Sequence, residues 1–332
     1  TNYDVIKCGN RGTTPNFATE ATDGNLTAWS NLWYPTRVVW TNANNSNYFK
    51  VIGRNADGAR DPSLPVMVEV DNLIDYMTEI FYSGDGDATL SSFLSNNQPN
   101  NWFGMRDRSN PDVGFRFFNS DCEHTMGANN SQVDRTGPFA GSNEANFTFS
   151  NPQWMHEALL RNAEYRVRFG DRVQKHFFNN GALTFEQCTN RWWRRASRIT
   201  KAIRAYSARW GDVVKEPPYG ENNWTNTLTW VANAWFPTRA GIVLDHPFFA
   251  SILLRRPLIK DDSIPTLAVD ARGRIYYNEK FVESLTVPQL VWGLCHEVGH
   301  VIGQHAVRRG SRHPRKWNYA GDAWINDTLT HN

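Results

Sequence analysis

Long hydrophobic runs are missing from this chain. No apolar stretch approaches the roughly 20 residues that a membrane-crossing helix needs, so no membrane insertion is expected. No basic segment followed by a short apolar run opens it, so no signal peptide is expected; the start at Thr1 without a Met reads as a fragment or a processed product. Cysteine is scarce. Cys8, Cys122, Cys188 and Cys295 are scattered without C-x-x-C spacing, which argues against a disulfide framework and against a cysteine zinc site. Charge of one sign is lacking too: 35 Lys and Arg stand against 33 Asp and Glu, a formal +2, and no nucleic-acid partner is expected.

What is present comes in distinct textures. Residues 1–150 are rich in Asn, Gly and aromatics with short apolar runs, which suits loops, short strands and a few helices. One helix is predicted over 72–81, with Asp71 as its cap. From Pro152 the pattern turns helical, with segments at 154–161, 164–178 and 191–210 and stops expected at Gly181 and Gly211. Residues 241–332 differ again, holding six of the nine histidines and three of the fourteen tryptophans. Two strands, 264–269 and 274–277, are predicted around the turn Asp270-Ala271-Arg272-Gly273. Thr286-Val287-Pro288-Gln289 then reads as a capping box, opening a helix expected to run to Gly310.

Inside that helix lies His296-Glu297-Val298-Gly299-His300. Residues four apart on a helix return to nearly the same face, so His296 and His300 can share one metal ion while Glu297 stands beside it as general base. A third ligand is needed. His305 is turned about 140° from His300 on a continuous helix and cannot join that face. Ala306 occupies the place where the extended metzincin pattern needs a histidine. Asn318, Asp322 and Asn326 recur every four residues in a second helical stretch. A helix crossing the first would bring Asp322 to the metal, with the two asparagines orienting the ligands.

These residues carry a resemblance. Asp245-His246-Pro247-Phe248-Phe249, Ile264-Pro265-Thr266, Ile275-Tyr276-Tyr277-Asn278, the His296–His300 motif, Arg308-Arg309-Gly310 and Trp317 through Asn326 resemble a bacterial family of metallopeptidase-like domains often encoded with a von Willebrand A-like domain. The likeness covers 241–332. It implies zinc held by His296, His300 and Asp322, with Glu297 as general base.

The first 240 residues read as a mainly helical domain with acidic, Asn-rich loops. Carboxylates and asparagines on successive loops suit a hard cation such as magnesium bound with a phosphate; turn chemistry is the plainer account. Asn2 through Lys7, Glu20 through Asn25, Asp71 through Tyr76, Asn100-Asn101-Trp102-Phe103 and Phe117 through His124 resemble the spore-coat CotH kinase family. The resemblance implies Asp87 as catalytic-loop acid, with Asp85 as competitor, Asn101 as a metal ligand and Asp121 as principal magnesium ligand beside ATP. The phosphate-covering loop and lysine of a kinase N-lobe have no counterpart before these segments, so Lys7 takes no such role.

The expected fold class is therefore α+β and predominantly helical. An incomplete kinase-like helical lobe over 1–240 precedes a small zincin-like domain over 241–332, with short strands, a motif helix and a second ligand helix. The leading expectation is a zinc-dependent hydrolase, a peptidase acting on peptide or protein. A kinase-like phosphotransferase and a non-catalytic binding or structural module are the alternatives. The pairing reads as a fusion or fragment: the first part favours an extracellular or cell-surface setting, the second the cytoplasm. The tryptophans mostly fall at helical spacing, which favours core packing over a carbohydrate surface.

Overall fold

The computed structural model describes residues 2–127, 135–139, 141–237, 258–303 and 305–330. Two compact units divide the chain, 1–173 and 174–332. The join expected at 240/241, and the segment Asp245–Phe249, lie outside the described residues. The fold is mixed, with more helix than strand, and no described helix is long and apolar enough to cross a membrane.

The first unit contains, in order, β1 (Tyr3–Cys8), β2 (Thr19–Asp23), α1 (Thr27–Thr41), α2 (Asn45–Val51), α3 (Val70–Ser83), β3 (Thr89–Leu90), β4 (Pro99–Asn100), β5 (Trp102–Asp107), β6 (Arg116–Asn119), α4 (Pro152–Leu159) and α5 (Ala163–Phe177), within which the division falls. Its framework is a four-stranded antiparallel sheet ordered β2-β1-β5-β6. Along β1 alternate residues point inward, burying Asp4, Ile6 and Cys8, as the two-residue period of a strand dictates. Trp29 from α1 packs on Trp102 of β5, on Phe115 and on Phe117 of β6, with ring centroids 5.5, 5.4 and 6.0 Å away. The sheet is more than the short strands expected here.

Helix α3 forms as predicted but starts earlier, with Glu69 at the cap position rather than Asp71. Asp71 and Asp75 are taken instead by α5: Arg168 Nε lies 2.6 Å from Asp71, and Arg172 pairs with Asp75. Core packing accounts for Trp29, Trp33, Trp102, Trp154 and Trp235, all buried, whereas Trp193, Trp210, Trp230, Trp292 and Trp324 are exposed.

One buried carboxyl makes this unit sensitive to pH. Glu157 on α4 is 4% exposed, and burial pushes it up to about 8; hydrogen bonds from Phe139 N (3.1 Å) and Gln153 Nε2 (3.3 Å) to its Oε1 counter that only in part. The folded chain thus keeps a proton that the unfolded chain releases above the ordinary glutamate value of 4.5. Its stabilising contribution is complete below that value and is lost as pH rises towards about 8. Glu157→Gln is expected to abolish this slope and to raise stability at alkaline pH by on the order of a few kcal/mol. Urea unfolding at pH 5 and pH 8.5 measures it, and parallel pH profiles for parent and variant would contradict it.

The second unit contains α6 (Phe185–Val214), α7 (Glu221–Trp230), β7 (Leu258–Lys260), β8 (Leu267–Val269), β9 (Ile275–Tyr277), α8 (Glu279–Glu283), α9 (Val287–Ile302), α10 (His305–Arg308) and α11 (Pro314–Thr330). Gly211 does not stop α6. It lies buried inside the helix, where a Cβ would come 2.7 Å from Tyr219 O, so its missing side chain serves the returning chain. The expected hairpin is present: β8 and β9 pair antiparallel across Asp270–Gly273, with Gly273 at φ 75°. The pattern had not shown β7, which pairs parallel with β9 and gives the order β7-β9-β8. The capping box that opens α9 also forms, with Thr286 N donating to Gln289 Oε1 at 2.9 Å.

Helix α9 ends before Gly310. It stops at Ile302 with Gly303 as its cap, the chain turns through α10, and Gly310 follows at φ 55°. The His305 ring occupies the space of a side chain at Gly303, where a Cβ would stand 2.4 Å from His305 Nε2.

Candidate metal centre

Helices α9 and α11 pack closely because Gly299, the fourth residue of the motif, has no side chain. A Cβ there would meet Ile325 Cγ2 at 2.8 Å. That approach brings Asp322 of α11 opposite the two motif histidines. His296 Nε2 and His300 Nε2 are 3.2 Å apart, and Asp322 Oδ1 lies 3.5 and 3.1 Å from them. Among the described residues these three form a converging group of metal-capable side chains, with donor atoms within 4.8 Å of one another.

The outer atoms of each side chain are held. His296 Nδ1 meets Asn326 Oδ1 at 2.9 Å, and His300 Nδ1 meets His305 Nδ1 at 3.0 Å. Asn318 Nδ2 donates to Asp322 Oδ2 at 3.0 Å. The two asparagines of the stripe thus stand one behind a histidine and one behind the carboxylate.

The donor set fits a divalent cation. Asp322 Oδ1 is buried without a hydrogen-bond partner, although two imidazole nitrogens lie close to it. Burial and the neighbouring His296 hold His300 well below the usual imidazole range, in the neutral form that offers a lone pair. Two imidazole nitrogens and one carboxylate oxygen would leave a four-coordinate cation one further position.

Glu297 lies beside this group. Burial first, and the Asp322 carboxylate second, push its carboxyl up to about 7. It lines two adjoining cavities. One, of about 970 Å³, has a mixed polar and apolar lining and is bounded by the β8–β9 turn, the two histidines and Asp322. The other, of about 540 Å³, is walled by Leu267, Phe281, Leu285 and Trp292. The candidate donors lie at helical repeats in the sequence, whereas these walls and the place of the His305 ring follow no such repeat. Trp292, four residues before His296 and so on its face, is a sequence signal for the apolar wall.

The residues singled out in the first unit are arranged differently. Asp87 accepts hydrogen bonds from Asn100 Nδ2 (2.9 Å), Asn101 Nδ2 (3.0 Å) and Ser91 Oγ, so Asp87 and Asn101 are together. Asp85 is fully buried, accepts from Asp87 N and Asn119 Nδ2, and has its carboxyl raised by burial. Asp121 is exposed, at φ 56°, with Glu123 as its near neighbour. Among the described residues no group of three or more His, Cys, Asp or Glu side chains converges there as at Asp322.

Comparison with known proteins touches the second unit. The sequence model of a family described as "Putative metallopeptidase domain" matches residues 235–332. It supports a metal-dependent hydrolase in that region. No curated protein and no solved structure matches the chain. None of these comparisons supports the spore-coat kinase likeness of the first 240 residues.

Proposed function

We propose that the second unit is a zinc-dependent peptidase, with His296, His300 and Asp322 as ligands and Glu297 as the proton-transfer group. The observation that carries this reading is the convergence of His296 Nε2, His300 Nε2 and Asp322 Oδ1 on one another, with the Glu297 carboxyl lining the same cavity. Zinc, when bound, supplies Lewis acidity towards water and towards a carbonyl oxygen.

The chain's own residues do the rest. Asn326 holds the His296 ring from behind, and Asn318 holds the carboxylate. Glu297 takes the proton of the attacking water on a carboxylate oxygen while the water oxygen bonds to the scissile carbonyl carbon. The same carboxyl then delivers that proton to the amide nitrogen as the C–N bond breaks. The cavity of about 970 Å³ beside the donors has room for the peptide backbone.

Elemental analysis of the purified chain, beside His300→Ala and Asp322→Ala, tests the ligand set. One zinc per chain in the parent, lost in both variants together with cleavage of a peptide library, is the expected result. A folded, metal-replete parent without zinc would overturn the reading.

A further inference from the structure

Resting on the zinc-site reading above, we infer that His305 is a positioning residue that accepts the hydrogen bond of His300 Nδ1–H and so keeps His300 Nε2 turned towards Asp322. A neutral imidazole has one N–H and one lone pair. The Nδ1 atoms of His300 and His305 are 3.0 Å apart, so one donates and the other accepts. A cation at His300 Nε2 takes the lone pair there, which leaves the His300 proton on Nδ1. His305 Nδ1 is then the acceptor, and its own proton sits on Nε2.

The surroundings hold His305 in that place. The break at Gly303 removes the constraint that would have turned position 305 away from the motif face. The ring fits between two glycines: a Cβ on Gly303 would stand 2.4 Å from its Nε2, and one on Gly321 would stand 2.7 Å from its Nδ1. Trp317 Nε1 donates to His305 O at 2.7 Å, and the rings of Trp317 and Trp324 stand edge-on to the imidazole at 6.2 and 5.6 Å. His305 faces the Nδ1 side of His300, opposite the donor atom, so it supports a ligand without being one. Partners of this kind select the tautomer and fix the ring plane of a metal-binding histidine.

The test measures zinc affinity of the full chain by competition with a chromophoric chelator. It also records the absorption spectrum of the cobalt(II)-loaded chain and the melting temperature of the metal-free chain. His305→Ala is expected to weaken zinc binding by about 10–100-fold and to alter the cobalt spectrum. His305→Asn, whose Oδ1 can accept the same hydrogen bond, is expected to restore both. Gly321→Ala, which crowds the ring, is expected to weaken zinc while leaving His305 in the chain. Undiminished zinc affinity in His305→Ala overturns the inference and leaves the zinc site standing. Equal losses in the Ala and Asn variants point to packing and also overturn it. A parent that binds no zinc removes the site and the inference together.

Discussion

Replacing Glu297 by glutamine is expected to leave zinc bound at one per chain and to lower peptide hydrolysis by about 10²–10⁴-fold, the usual weight of a positioned acid–base group. The two effects separate because the roles are separate. On the proposed reading the ligand atoms are those of His296, His300 and Asp322, and Glu297 supplies a proton acceptor beside them. Glutamine keeps the shape and the neighbours of glutamate but holds no exchangeable carboxyl proton. Single-turnover cleavage of the best library peptide, with elemental analysis of the same preparation, gives both quantities. A variant that keeps its zinc and cleaves within about threefold of the parent would assign the proton to another group.

Truncating Trp29 to alanine is expected to cost the first unit about 3–5 kcal/mol. The side chain is fully buried and is the shared neighbour of Trp102, Phe115 and Phe117, so its removal opens a void where three rings meet. The indole also donates from Nε1 to Ser150 Oγ at 2.7 Å, and Thr19 Oγ1 donates to Ser150 O at 2.7 Å, tying α1 and β2 to the segment before α4. Trp29→Phe keeps much of the volume and loses that hydrogen bond, and should cost less. Urea unfolding, with hydrogen exchange of the β1 and β5 amides as local probe, measures the loss. A cost below about 1 kcal/mol would show that the rings close over the gap.

The candidate site was largely legible because its donors lie at helical repeats. His296 and His300 are four apart, and so are Asn318, Asp322 and Asn326, so each set fell on one face before any packing was known. The two helices that carry them are present, and Asp322 stands opposite the histidines. His305 escapes that repeat for a definite reason: α9 stops at Gly303, and nothing local shows that a ring from two residues on fills that glycine's space.

The first unit was harder to read. Strands β1 and β5 pair although some hundred residues separate them, so neither advertises its partner. Asp71 has the composition of a cap, yet arginines nearly a hundred residues later claim it. Long-range pairings of this kind leave no period in the sequence.

The contact between Gly299 and Ile325 changes how the motif itself is to be read. Written as H-E-x-x-H, it has two open letters. In this fold neither is open: Val298 is fully buried, and Gly299 is the spacer of zero thickness between two helices. Whatever occupies position 299 sets how far Asp322 stands from the histidines, so the apparent blank in the motif acts as the gauge of the whole donor triangle.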